Sequence, residues 1–435
     1  MQRLDVFLDG QAAPVGTLSR ADDGAVSFRY LRQDLPHPLS LSLPIRDAPF
    51  GDVPTRGFFD NLLFENAMRD QVMQKHGIAQ TDIVGLLAHL GRDCPGAISV
   101  VPEGEGPGKR PGNLETDYTA LSAEDLETIM RALRDHRRLP ETSDDPSPLA
   151  GVQGKLAVTV LPGGQVALPR AGSGAPTTHI LKVPRRRDLR LVAQEHALMT
   201  IAASLLAHPV AQTKEVGQGD LRGLLVTRFD RSVRGAKVHR IHQEDFCQAL
   251  SLGPHLKYQR NGTGARQFSA RAAGHLLEHC SAPAQARSAF LEGTVVNLLL
   301  GNTDNHAKNH SLLYAYDPTG RPQLAPLYDI VPTLIDDQVT HQLSFDIGAA
   351  QMADTITARD LERFAQDLGY RSLTAPMRRR LVALTQAVVD RIPEMRGPSH
   401  KRLGDGFAEQ ASALAAALAL DLEIPPRDLV VLNRP

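Results

Sequence analysis

Asp304, Asn309 and Asp329 bring three oxygen-bearing side chains into one stretch, GNTDNHAKNHSLLYAYDPTGRPQLAPLYD, residues 301–329. Asn309 follows Asp304 by five positions, and Asp329 follows Asn309 by twenty. One carboxylate with one amide oxygen is a normal protein contribution to magnesium, which takes hard oxygen ligands and keeps several waters. A second carboxylate nearby could orient a hydroxyl. Such a set suits phosphoryl transfer, where the protein supplies alignment and charge placement more than covalent chemistry. The same spacing also suits a polar turn in which Asp and Asn cap backbone groups.

A frame must position these side chains. Residues 311–316, SLLYAY, have the pattern of a buried strand. Asp317-Pro-Thr-Gly320 supplies a turn, and 323–327 is expected to return as the second strand of a hairpin. Acid, Asn, hairpin, acid is the order found in protein kinases, where the first Asp orients the acceptor hydroxyl and the other two residues hold magnesium on ATP. Upstream, residues 177–184 (TTHILKVP) read as a strand. Lys182 alternates with Leu181 and Val183, so it faces away from them; a solvated edge lysine has the same signature. A helix expected over 191–206 carries Glu195, and a strand lysine followed by a helix glutamate is the arrangement of the kinase lysine–glutamate pair. Residues 149–155, LAGVQGK, lead into a strand expected at 156–161. Such a loop could lay backbone N–H groups over phosphates, or form an ordinary β-turn. It is not a Walker A loop, because G-x-x-x-x-G-K-S/T is absent.

The composition bounds the rest. A chain of 435 residues with 22% charged and 42% hydrophobic residues is globular, and long enough for two or three domains. A net charge of -1 argues against a large nucleic-acid footprint on this chain by itself. Cys94, Cys247 and Cys280 are far apart and fit no metal spacing; they suit a reducing cytosol as small core residues. MQRLDVFLDG has no signal-peptide pattern and no run of 18 apolar residues exists, so the expectation is a cytoplasmic chain without a membrane span.

Short strands are expected at 4–8, 15–18, 25–30 and 39–44, a helix from 58 running past 69, a helix at 83–90, and a strand at 97–101. Asp82 stands where an N-cap should. Ser122 and Asp125 occupy capping-box positions ahead of a helix ending near Leu133. Strands follow at 221–229 and 238–241, and a helix is expected from His242 to Leu250. Further helices are expected at 268–279, 285–300, 357–368, 374–392 and 405–422.

Taken together, LAGVQGKLAV (149–158), THILKVP (178–184), RFDR (228–231), HQEDFCQAL (242–250), KY (257–258), GNTDNHAKN (301–309) and LAPLYDI (324–330) stand in the order seen in HipA-type proteins. FFDNLLFEN (58–66) and GRDCPGAISV (91–100) extend the likeness toward the N-terminus. The chain therefore resembles the HipA-type serine/threonine protein kinase toxins of bacterial type II toxin–antitoxin systems. The resemblance implies an α+β, protein-kinase-like fold in two parts, an N-terminal α/β part with antiparallel strands and a mostly helical C-terminal part, with ATP between them. It implies an N-terminal subdomain at 1–110. A kinase N-lobe-like region with phosphate loop, Lys182 strand and connector follows at 111–250, and a helical lobe with the catalytic loop at 251–435. By the same resemblance Asp304 is the catalytic aspartate, and His306 and Lys308 lie within reach of the γ-phosphate. Asn309 and Asp329 hold Mg2+. Ala150, Gly151, Val152, Gln153, Gly154 and Lys155 form the phosphate loop and Lys182 binds phosphate. Arg228 and Phe229 lie at the connector, and Asp230 meets the ribose. Family members carry an autophosphorylated serine three residues before the loop glycine. Here Pro148 holds that position, and Ser147 is the nearest serine.

The implied function is an ATP- and Mg2+-dependent toxin that phosphorylates an aminoacyl-tRNA synthetase and causes growth arrest and persistence. The implied partner is a small helix-turn-helix antitoxin of the HipB type, through which operator DNA is mainly contacted. Two other readings compete. One is a small-molecule kinase on a similar scaffold. The other is a catalytically silent co-repressor that binds the antitoxin, against which the intact Asp304, Asn309, Asp329 and Lys182 speak.

Overall fold

A computed structural model of the chain describes residues 2–65, 67–137, 154–315, 319–397 and 400–434. Val26, Phe28 and Tyr30 turn inward at alternate positions of β3 (Val26–Tyr30). This strand pairs with β2 (Gly16–Arg20), β2 with β1 (Gln2–Leu8), and β1 with β4 (Ile98–Pro102), all antiparallel. Phe58 and Phe59 of α1 (Asp52–Phe59) share one apolar core with that sheet, as do Ile83, Leu86 and Leu87 of α3 (Ile83–Leu90). The Asp82 carboxylate accepts from Gly85 N–H and caps α3, as expected.

Two expectations fail in this region. The helix expected from 58 past 69 is already over at Phe59; a 3-10 turn follows, and α2 (Ala67–Lys75) is separate. The cause is tertiary, for Asn61 Nδ2 donates to both Gly57 O and Leu252 O at 2.7 and 2.8 Å. Residues 39–44 make no strand. Ser40 and Leu41 instead direct a hydroxyl and an N–H to the buried Glu244 carboxylate.

A second sheet has the order β10-β11-β9-β7-β8-β6. Its strands are β6 (Tyr118–Ala120), β7 (Gly154–Val160), β8 (Val166–Pro169), β9 (His179–Val183), β10 (Thr213–Gln218) and β11 (Leu221–Thr227). Met130 and Leu133 of α4 (Ala123–His136) pack with Leu156, Val158, Leu181 and Val183 on one face. The Ser122–Asp125 capping box starts α4. β5 (Gly112–Asn113), β12 (Arg231–Arg234) and β13 (Lys237–Arg240) make a small third sheet.

The segment expected as one helix from His242 begins as β14 (His242–Asp245), and only Phe246–Ala249 is helical (α6). β14 pairs with β15 (Ser311–Tyr314), in which Tyr314 OH donates to Glu244 Oε1 at 2.6 Å. The hairpin's return strand shortens to β16 (Gln323–Leu324). Beyond it Leu327 bonds Pro209 O and Ala211 N–H, so the chain has changed partners.

The helices are α5 (Arg190–Leu205), α7 (Ala270–Leu277), α8 (Pro283–Leu299), α9 (Ala358–Asp367), α10 (Ala375–Val389) and α11 (Lys401–Leu418). Antiparallel sheets with these helices give a mixed α+β chain. It divides into two units, Met1–Val192 with Thr213–Pro254 and Ser311–Gln323, and Ala193–Gln212 with His255–His310 and Leu324–Pro435. Among the described residues no helix is long and apolar enough to cross a membrane.

Candidate active site

The second unit presents the acidic cluster at the end of α8. Gly301 lies at φ +72°, its N–H bonds Leu298 O, and Asn302 N–H bonds Asn297 O. These two bonds form a Schellman stop, which needs a left-handed residue after the helix and favours glycine there. The chain therefore leaves α8 abruptly and opens into the loop that carries Asp304.

Side chains on either side then hold the loop. Asn302 Nδ2 donates to Asn297 Oδ1 at 2.7 Å, and Asn302 Oδ1 accepts Asp304 N–H at 3.1 Å. Thr303 N–H reaches Thr333 Oγ1, and Ser344 Oγ donates to Thr303 O. Tyr258 OH donates to Asp304 Oδ1 at 2.8 Å. A 3-10 turn, Ala307–Asn309, brings Asn309 back over the loop, where its Nδ2 donates to Asp304 O at 2.9 Å. That bond orients the amide and leaves Oδ1 as its acceptor end, the atom a hard cation would take.

Asp329 is half-buried and sits at φ +60°, in a left-handed conformation that a non-glycine residue rarely holds. Asn302 Nδ2 lies 3.5 Å from Asp329 O, which ties this residue to the loop that carries Asp304. Tyr328 OH donates to Lys308 O at 2.8 Å. Burial pushes the His306 imidazole below its ordinary range, although Asp304 and Asp329 both favour its cation. Both carboxylates thus act on one imidazole, and the structure brings Asp304, His306, Asn309 and Asp329 together. Lys308 lies in the same turn, half-buried. Among the described residues no three or more His, Cys, Asp or Glu side chains cluster as a metal cage. One carboxylate, one amide oxygen and nucleotide phosphates are a normal magnesium set, so these residues fit that ion.

Lys182 lies in the first unit on β9, an interior strand flanked by β11 and β7, and is only 7% exposed. It is no edge lysine. Lys155 stands directly opposite it across β7 and β9, on the face away from α4. Like charges directly opposite are unfavourable in a sheet, and a polyanion at that face would offset the cost. Glu195 is buried on α5 in the second unit. Gly154 and Lys155 already belong to β7, whereas Ala150, Gly151, Val152, Gln153 and Ser147 lie outside the described residues.

Arg228 and Asp230 serve the first unit's interior. Asp230 accepts from Arg228 Nε and Nη2 at 3.0 and 2.8 Å, from Gly96 N–H, and pairs with Arg231. Burial opposes its charge, but the Arg228 and Arg231 cations hold the carboxyl well below the usual range. Both of its oxygens are engaged by protein donors. Phe229 is half-buried after β11. Asp93 lies in the same network with Lys109, Arg231 and Arg240. Sequence spacing gave no role to Tyr258 or Asn302. Tyr258 lies 46 residues from its partner, so only the fold reveals that bond.

Residues 147–395 match the HipA-like C-terminal domain family and residues 4–101 the HipA N-terminal domain family. Y4mE of Sinorhizobium fredii is 34% identical over 404 residues, covering 89% of this chain and 90% of that relative. The serine/threonine-protein kinase toxin HipA of Shewanella oneidensis is 31% identical over 376 residues, covering 82% and 81%. The solved Shewanella oneidensis HipA, in a complex with HipB and operator DNA, superposes with a TM-score of 0.77 at 26% identity, covering 96% of this chain and 98% of that one. The kinase-like fold expected from the motifs is thus present, and the chain belongs to the HipA family.

Proposed function

We propose that the chain is an ATP- and Mg2+-dependent serine/threonine protein kinase acting as the cytoplasmic toxin of a toxin–antitoxin pair. One observation carries the reading: Asp304 is held by Tyr258 at one carboxylate oxygen and by Asn309 at its carbonyl, with Asp329 in the same network. Asp304 would accept the proton of a serine or threonine hydroxyl as its oxygen bonds to the γ-phosphorus. The bond from the γ-phosphorus to the β–γ bridging oxygen breaks, and ADP leaves. Asn309 Oδ1 and the Asp329 carboxylate would hold magnesium, which when bound neutralises the charge developing on the phosphates. Lys182 and Lys155 supply positive charge for the nucleotide phosphates, and Phe229 remains a connector contact.

Membership of the HipA family supports an aminoacyl-tRNA synthetase as substrate, with growth arrest and persistence as the result. It supports a HipB-type helix-turn-helix antitoxin as partner, and operator DNA contacted mainly through that partner, which suits a net charge of -1. The test is a phosphoproteome after expression of the wild type and of Asp304→Asn. The expected result is a phosphoserine or phosphothreonine on a synthetase that appears only with the wild type. Growth arrest by Asp304→Asn equal to that of the wild type would overturn the reading.

A further inference from the structure

We propose that Tyr258 is the positioning residue for Asp304, fixing the carboxylate so that one oxygen is held and the other faces the acceptor hydroxyl. This rests on the kinase reading and deepens it. Tyr258 OH donates to Oδ1 at 2.8 Å, and among the described residues Oδ2 takes no hydrogen bond. The terminal torsion of an aspartate is broad and roughly two-fold. A single donor on one oxygen therefore sets which oxygen points onward.

Tyr258 can do this because it is itself fixed. Its ring meets His306 edge-on, with centroids 5.3 Å apart and planes at 80°. The Arg260 guanidinium lies over the ring at 4.1 Å, and Arg260 Nη1 reaches Leu343 O. On one side Lys257 O accepts Ala307 N–H at 3.1 Å, which ties the segment to the catalytic loop. On the other, Gln259 N–H donates to Ser344 O, and the Gln259 side chain exchanges two bonds with Asp346, at 2.8 and 2.9 Å. Ser344 Oγ returns to Thr303 O, next to Asp304. The phenol is thus the tip of a strut with both ends tied to backbone around the reacting carboxylate.

Tyr258→Phe removes the hydroxyl and keeps the ring, its contact with His306 and the guanidinium stacking. ADP formation from magnesium–ATP is measured with a serine peptide library as acceptor, together with magnesium–ATP affinity. A hydrogen bond to a charged group, lost only from the reacting arrangement, predicts a fall in kcat of roughly 10- to 100-fold with KM for ATP within about twofold. In an Asp304→Asn background Tyr258→Phe should lower the residual rate no further, because it acts through Asp304. An unchanged kcat, a fully additive loss in the Asp304→Asn background, or parallel losses of kcat and ATP affinity would each overturn the proposal. Failure of the kinase reading looks different: the wild type forms no ADP above the Asp304→Asn level, and the Tyr258 assignment then falls with it.

Discussion

Replacing Glu244 with Gln should flatten part of the stability–pH curve. Glu244 is fully buried on β14. Its carboxyl meets Ser40 Oγ, Leu41 N–H and Tyr314 OH. Burial pushes the group up to about 7, against the pull of those three hydrogen bonds, from an ordinary value of 4.5. The folded state therefore keeps a proton that the unfolded chain releases above pH 4.5. This contribution is complete below 4.5 and is lost as the pH rises through 7. At 1.36 kcal/mol per pH unit, the loss across that window is roughly 3 kcal/mol. His242, held by burial at about 3, and His37, also lowered by burial, face the same cluster and change stability in the opposite sense between pH 3 and 6.5. The difference between wild type and Glu244→Gln removes their share. The glutamine amide reproduces the neutral acid, since its N–H2 can donate to Ser40 Oγ while its oxygen accepts from Leu41 and Tyr314. Chemical denaturation at intervals from pH 4.5 to 8 should show the variant gaining about 3 kcal/mol on the wild type as the pH rises. A difference that stays level across this range would refute the assignment of a buried, protonated Glu244.

The proposed nucleotide site offers further tests. Asp304→Asn should lower phosphate transfer at least ~100-fold, on the scale of a lost general base, while magnesium–ATP binding by calorimetry stays near wild type. Asp329→Asn should weaken magnesium–ATP binding roughly tenfold or more and leave the melting temperature unchanged, because asparagine tolerates the left-handed backbone; equal effects of these two substitutions on ATP affinity would refute their division of roles. Lys182→Met should weaken ATP binding without destabilising the apo protein, since it relieves the facing Lys155; unaltered nucleotide affinity would remove Lys182 from the site. Burial opposes the Asp93 charge, but Lys109, Arg240 and Arg231 outweigh it and hold the carboxyl at about 2, so its contribution is present above about pH 4 and lost as the pH falls through 2. Asp93→Asn should cost about 3–5 kcal/mol in urea denaturation at pH 7, and a loss under 1 kcal/mol would show that the cations find other partners.

The parts of the site legible in the sequence are those whose chemistry is local. Asp304, Asn309 and Asp329 fall within one stretch, and glycine at 301 marks the end of the helix before them. Lys182 was placed on its strand by alternation, but alternation could not say that β9 lies inside the sheet. Where distant groups decide the conformation, the pattern misled. His242-Gln-Glu-Asp245 is polar and looks like a helix start, yet Glu244 points inward because Ser40 and Tyr314 receive it. The helix expected from 58 past 69 breaks where Asn61 bonds Leu252 O, 191 residues away. Asp230 follows a strand at the expected place, but its oxygens belong to Arg228, Arg231 and Gly96.

Each unit is assembled from three stretches of chain, and this orders events during synthesis. β14 is complete once residue 245 has been made, but its neighbour β15 ends at Tyr314. At 5–20 residues per second the ribosome needs on the order of 3–14 seconds to supply those roughly 70 residues. Throughout that interval Glu244 lacks the Tyr314 hydroxyl, and the loop that carries Asp304 is translated only near its end. A chain interrupted anywhere before Ser311 therefore carries neither a finished first unit nor Asp329. Neither unit can be obtained by cutting the gene at a single point, and a split protein would regain both only if its fragments exchange strands.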